Sequence, residues 1–199
     1  MPQPLIELQC TRSQIEALAI LFQEGVILDI PGNYSIADLF FRHWGLSSEF
    51  AEKRIQTIFL NGHPVDQPEE IIPEHGSILA LSAAMPGLVG ATMRKSGPLA
   101  PLRDSITCRS TNSSSQPSQK RIYLKLFNFL LKELAPHFLK RGVLVVPSSL
   151  LQIIRQFPLP FWDHCLISHK SQNLPLADYR LEDLLSLPAP IKTSIKTDT

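Results

Sequence analysis

The stretch from Arg54 to Gly90, RIQTIFLNGHPVDQPEEIIPEHGSILALSAAMPGLVG, carries the densest structural signals in this chain. Ile55 to Leu60 is rich in β-branched and apolar residues and runs directly into Asn61-Gly62. A type I′ turn needs φ > 0 at both central positions, and Asn-Gly tolerates that best, so the spacing predicts a tight hairpin. Pro64 has no N–H to give to a ladder, which predicts a short edge strand or bulged return over His63 to Asp66. The polar loop QPEEIIPEHG leads to Gly76, which launches a strand over Ser77 to Ser82. Beyond it the chain leaves through small residues, Pro86, Gly87 and Gly90.

Upstream, Leu5 to Cys10 reads as a strand, and Ser13 with Glu16 has capping-box spacing at the start of a helix. Ile15, Leu18, Ala19 and Phe22 form its apolar stripe and Gly25 ends it. Val26 to Ile30 is a second strand, followed by a Pro31-Gly32-Asn33 turn. Ser35 and Asp38 cap a second helix bearing Ile36, Leu39, Phe40 and His43, with Gly45 as its stop. His43 is read as a histidine placed favourably at a helix C-terminus rather than as a ligand. Ser48 to Lys53 predicts one further helical turn.

Downstream, the Ser, Thr, Asn and Gln enrichment of residues 104–121 predicts a disordered linker, because such a segment buries too little apolar surface to offset ordering. It separates a domain at 1–103 from a helical appendage at 122–170, with an irregular or disordered tail at 171–199. In the appendage, Leu124, Phe127, Leu131 and Leu134 share one face of a helix expected over Tyr123 to Leu139, with a kink near Leu134 from Pro136. Gly142 releases a short strand, Val143 to Val146, and Pro147-Ser148-Ser149 starts a helix that runs through Gln156. Leu181 to Leu187 suggests another helical turn, and KTSIKTDT reads as disordered. No internal repeat is evident.

Composition bounds the functional classes. The 199 residues are 44% hydrophobic and 19% charged, with 17 prolines and a net charge of +1, so no broad field points to nucleic acid. Cys10, Cys108 and Cys165 are odd in number and widely spaced, which argues against a disulfide framework and suits a reducing, cytoplasmic setting. The start, MPQPLIELQC, lacks the pattern of a secretory leader. The longest apolar run, Ile78 to Val89, is broken at Pro86-Gly87 and falls short of the ~20 residues a membrane span needs.

The run Ile58-Phe59-Leu60-Asn61-Gly62-His63-Pro64-Val65-Asp66, followed by Gly76 to Leu81, resembles the second half of the ubiquitin-like β-grasp fold. It is most similar to the small sulfur carriers of molybdopterin and thiamine biosynthesis. The whole line also resembles a group of uncharacterised bacterial proteins. The resemblance implies an α+β, β-grasp mixed sheet with packed helices. Two departures stand against carrier chemistry: the terminal Gly-Gly that such carriers activate is absent, since the chain continues past Gly90, and a helix separates the first two strands where the family has a hairpin.

Candidate sites follow. Met85, Pro86, Gly87, Leu88, Val89, Gly90, Arg94 and Lys95 form a glycine-punctuated exit ending in two cations, suited to partner docking or to a backbone nest for an anion. It matches neither a P-loop nor a dinucleotide fingerprint. Asp163-His164-Cys165 with His169 offers zinc-type ligands without a second paired set, so no metal and no cofactor is expected. Lys125, Lys132, Lys140 and Arg141 flank a wide apolar face that suits packing more than a membrane surface. No catalytic constellation emerges. The reading is a non-enzymatic ubiquitin-like interaction or regulatory module with a protein partner, docking through the sheet face or the exit. The alternatives are a sulfur-carrier-like accessory of cofactor biosynthesis and a membrane-surface adaptor.

Overall fold

The computed structural model describes residues 4–84, 87–95, 97–98, 118–169 and 172–197. In chain order its first elements are β1 (Leu5–Cys10), α1 (Arg12–Leu18), α2 (Leu21–Glu24), β2 (Val26–Pro31) and α3 (Ile36–Asp38), the last continued by a π-helical turn, Leu39–His43. There follow α4 (Ser48–Arg54), β3 (Thr57–Leu60), β4 (His63–Pro64), β5 (Ile78–Ser82), α5 (Gly87–Met93) and β6 (Gln119–Phe127). The rest comprises α6 (Phe129–Arg141), β7 (Val143–Val145), α7 (Pro147–Arg155), β8 (Leu166–His169), β9 (Gln172–Pro175) and β10 (Ile191–Thr197). The architecture is α+β with mixed β-sheet. Two compact units divide it: Met1–Val26 with Leu131–Thr199 is unit 1, and Ile27–Leu130 is unit 2.

In unit 2 the strand order is β4-β3-β5-β6-β2. Asn61 and Gly62 take φ of 51° and 82°, the left-handed pair that a type I′ turn requires. Asn61 also ties the hairpin to β5, its amide donating to the Ile78 carbonyl at 2.9 Å and its Oδ1 accepting from the Ile78 amide at 2.8 Å. Pro64 sits on the edge strand β4, opposite Phe59. Ser35 and Asp38 form the expected capping box, with Ser35 Oγ accepting from the Asp38 amide at 3.1 Å. Behind the sheet lie Ile36, Leu39, Phe40 and Trp44, all buried. His43 closes the π-helical turn and packs edge-on to Tyr34, with ring centroids 6.3 Å apart.

The helix expected from Tyr123 is a strand as far as Phe127. β6 runs parallel to β5 over five pairs, from Ile78 with Tyr123 to Ser82 with Phe127. As β2 advances from Asp29 to Gly32, its partners retreat from Arg121 to Ser118, so β2 and β6 are antiparallel. Lys120, Ile122, Leu124 and Leu126 point inward and are buried, a period-2 pattern overlaid on the helical spacing of Leu124, Phe127, Leu131 and Leu134. The switch occurs at Asn128, whose φ of 55° ends the strand, and α6 follows and passes through Pro136 without interruption. Residues 104–117 of the expected linker lie outside the described residues; Gln119 already belongs to β6.

In unit 1 the order is β9-β8-β1-β10-β7. The tail expected to be disordered supplies β10, which runs parallel to β1 from Leu5 with Lys192 to Cys10 with Thr197 and antiparallel to β7. Ile191, Thr193 and Ile195 are buried there, so a segment that reads as polar is half core. Above the sheet, Phe22 packs on Phe138 at a centroid distance of 6.0 Å, and α7, opened by Pro147 at its first position, buries Leu150, Ile153 and Ile154. The cap of α1 differs from the expected Ser13–Glu16 pair. Thr11 is the N-cap and Gln14 reaches back to its amide at 2.9 Å, while Gln14 Nε2 donates to the carbonyls of Phe161 and Asp163. One buried amide thus both caps a helix and holds a distant loop.

The two units share a plan that the sequence conceals. Each has a hairpin at one edge, then two parallel strands, then an antiparallel flanking strand: β4-β3, β5 with β6, and β2 in one; β9-β8, β1 with β10, and β7 in the other. Each flanking strand follows a helix through a glycine in the left-handed region, Gly25 at φ 113° before Val26 and Gly142 at φ 86° before Val143. At Gly142 a Cβ would also lie 2.9 Å from Lys192 Cε. The chain fills the parallel pair differently. In unit 2 the strand after the hairpin, β5, lies next to the hairpin; in unit 1 the corresponding β10 lies one place further away and β1 takes the inner place.

Candidate interaction face

The alternation that buries Ile122, Leu124 and Leu126 turns Arg121, Tyr123, Lys125 and Phe127 to the opposite face of β6. Across the ladder, Ile78 stands beside Tyr123, Ala80 beside Lys125 and Ser82 beside Phe127, while Phe59 on β3 stands opposite Ala80. The result is an apolar row open to solvent: Tyr123 is 42% exposed, Ile78 41% and Phe127 37%, with Phe59 and Ala80 half-buried. A shallow groove of about 320 Å³ occupies the part of it between Phe59 and Phe127, lined by Phe59, Ala80, Leu81, Ser82, Phe127 and Asn128. Asn128 Nδ2 donates to Ser82 Oγ at 2.9 Å and fixes the end of the groove. At the other end Arg121 pairs with Asp29 at 2.9 Å.

The same positions in unit 1 are polar. Glu7 and Gln9 on β1, Ser168 on β8, and Lys192, Ser194 and Lys196 on β10 face outward, with Leu5 and Leu166 as the apolar members. Glu7 and Lys196 form an ion pair at 2.7 Å.

The exit residues fold differently from the open nest that their glycines suggest. Gly87–Met93 is helical, and the chain then returns to the sheet, where the Lys95 amide donates to the Gln56 carbonyl at 2.7 Å. Gln56 in turn donates to the Ser82 carbonyl at 3.1 Å, which brings Arg94 and Lys95 to the end of the sheet that carries the groove. Gly87 is exposed and Gly90 buried, whereas Met85 and Pro86 lie outside the described residues.

The window that offered zinc-type ligands is dispersed: Cys165 is buried, His164 is exposed at φ 66°, and His169 bonds Tyr179 through Nδ1 at 3.1 Å. Among the described residues no group of three His, Cys, Asp or Glu side chains is arranged to hold a metal ion. His169 and Tyr179 instead line a polar cleft of about 240 Å³ with Gln172, Asp183, Ser186 and Leu187. Burial, and then the charge of Asp183, push the Tyr179 phenol above its usual range. Ser186 Oγ donates to the Asp183 carbonyl at 2.7 Å. Tyr179, Gln172 and Asp183 carry no motif, and no sequence signal marks them.

The face proposed for a membrane surface is largely internal, since Leu126, Leu130, Leu134, Phe138 and Leu139 are buried. Among the described residues no helix is long and apolar enough to cross a membrane. Lys120 is a further residue that the sequence did not mark: it is buried, Nζ donates to the Pro73 carbonyl at 3.0 Å, and burial lowers its pKa against the opposing pull of Glu74. It anchors the start of β6 to the loop before β5.

Compared with known protein families, curated proteins and solved structures, the chain matches none.

Proposed function

We propose that this protein is a non-enzymatic, β-grasp, ubiquitin-like interaction module that docks a protein partner on the outer face of unit 2. The observation that carries this is the contrast between corresponding faces: Phe59, Tyr123 and Phe127 stand where unit 1 places Ser168, Lys192 and Lys196, and Ile78 stands where unit 1 has Leu5. A mixed sheet with one covered face needs no apolar residue on the other, and exposed rings grouped on one face are the usual composition of an interface core. The strand order of unit 2 supports the β-grasp reading. A helix follows the flanking strand β2, a hairpin follows the helix, and β5 then pairs parallel to β6. The family's first strand corresponds to β6, which arrives after β5 instead of preceding β2. The helix between β1 and β2 ceases to be a departure on this reading, because β1 belongs to the other unit.

The test is a photo-crosslinking amino acid at Phe127 or Phe59, compared with one at Lys192, in cells of the native source. A discrete adduct is expected from the first two positions and not from the third, and Tyr123→Ser with Ile78→Ser should abolish it without loss of fold. Equal labelling from Lys192, or adducts insensitive to the double substitution, would remove the proposal. The carrier alternative makes a separate prediction: intact mass from the native source would reveal a chain ending at Gly87 or Gly90 with sulfur in place of oxygen.

A further inference from the structure

Cys10 and Cys165 are far apart in sequence and adjacent in unit 1. β1 and β8 pair antiparallel with Gln9 opposite Leu166, which places Cys10 opposite Cys165 one step further along the ladder. Neither cysteine is in a disulfide, both side chains are fully buried, and their Sγ atoms are 3.3 Å apart, one able to donate its S–H weakly to the other. Directly opposed residues of an antiparallel pair have Cα atoms roughly 4.5–5.5 Å apart, inside the roughly 4.4–6.8 Å that a disulfide spans. A small rotation about the Cα–Cβ bonds therefore suffices for bond formation, with no strand movement.

We propose that Cys10 and Cys165 form a redox-active dithiol that closes to a cross-strand disulfide when a peroxide oxidises it. One thiolate attacks the O–O bond of hydrogen peroxide and becomes a sulfenic acid, releasing one water after proton transfer. The second thiol attacks that sulfur, and the sulfenic oxygen leaves as a second water. The two sulfurs lose two electrons in all, and one peroxide is reduced to two waters. A dithiol reductant reverses the step by exchange.

Burial makes access the controlling step. On the edge side of unit 1, β8 has β9 as its neighbouring strand, and the Leu176 amide that follows β9 donates to the Cys165 carbonyl at 2.8 Å. Cys165 follows directly on Asp163 and His164, both exposed, so opening of this edge hairpin admits a small oxidant. Once formed, the bond joins positions 155 residues apart in sequence and clamps β8 to β1.

The experiment uses full-length Cys108→Ser protein, which leaves the two facing thiols alone. After hydrogen peroxide under native conditions, followed by denaturation and alkylation, alkylatable thiols should fall from two to none. Intact mass should fall by about 2 Da, and a non-reducing digest should yield the linked Cys10 and Cys165 peptides. Dithiothreitol should restore both thiols, and the urea midpoint of the oxidised chain should exceed that of the reduced one. Two alkylated thiols after oxidation, or separate sulfinic acids without a linked peptide, would overturn the proposal. As a second arm, Cys10→Ala and Cys165→Ala should each let dimedone trap a sulfenic acid on the remaining cysteine; an untrapped, intact thiol in both variants would count against it.

Discussion

Units 1 and 2 have the same succession of strand directions and opposite outer faces. In unit 1 the outward positions of β1 and β10 carry Glu7, Gln9, Lys192, Ser194 and Lys196, with Leu5 as the one apolar member and an ion pair across the row. In unit 2 the outward positions of β3, β5 and β6 carry Phe59, Ile78, Ala80, Tyr123 and Phe127, with Ser82, Arg121 and Lys125 as the polar members. The inner faces follow one rule in both, with Ile6, Leu8 and Ile195 buried in one and Leu79, Leu81 and Leu124 in the other. Folding demands fix the inner row, because each buried Leu or Ile contributes roughly 1.5–3 kcal/mol of hydrophobic stabilisation. They constrain the outer row less, and the proposed docking face rests on that difference.

The largest expected effect tests whether the C-terminal strand belongs to that common plan. Ile195→Asp buries a carboxylate beside Leu8 and should cost at least about 4 kcal/mol in urea unfolding, whereas Lys196→Asp, one residue on and outward, should cost about 1 kcal/mol or less. Similar losses for the two would mean that β10 does not contribute as described. The next test concerns β6: Leu124→Ala should cost about 2–5 kcal/mol, and Phe127→Ala well under half of that. A helical segment would bury both alike, and equal costs would restore the helix.

Capping in unit 2 gives a smaller effect. Ser35→Ala removes the Oγ acceptor of the Asp38 amide and should destabilise by about 1 kcal/mol. The pH responses of the units should then diverge. Burial raises the Asp38 carboxyl, but hydrogen bonds from Ser35 and Arg42 outweigh it and hold the group below its ordinary 3.8. Its stabilisation is therefore present above that value and lost as pH falls through the lower folded one. Asp38→Asn should flatten the acid limb of stability below about pH 4. In unit 1, Tyr179 has a raised pKa, so the unfolded chain deprotonates first and stability falls as pH rises beyond 10.0. Tyr179→Phe should flatten that alkaline limb, and stability-against-pH curves for the two variants check both signs. The smallest effect is expected from Glu7→Gln, within about 1 kcal/mol, because its ion pair is partly exposed.

The hairpin was readable because its determinants are local. Asn61-Gly62 needs no distant partner to prefer left-handed geometry, and Pro64 excludes itself from a central ladder wherever it lies. The Ser35–Asp38 box is equally local. β6 reads as a helix because Ile122, Leu124 and Leu126 satisfy a period of two while Leu124, Phe127, Leu131 and Leu134 satisfy a helical one, and the second pattern runs on into a real helix. Asn128 is the signal that separates them. The repeated plan leaves no mark in the sequence because it rests on strand order, and the two flanking strands share little beyond a preceding Gly and an initial Val.

Residue chemistry alone determined the Asn61-Gly62 turn and the Ser35–Asp38 cap, since each depends on contacts within a few residues. Tertiary structure alone decided that a polar C-terminal segment becomes a core strand, that Cys10 meets Cys165, and that rings scattered over β3, β5 and β6 form one open face. The reason is that a strand's hydrogen-bonding partners and its buried side come from segments remote in sequence, whereas a turn or a cap contains its own.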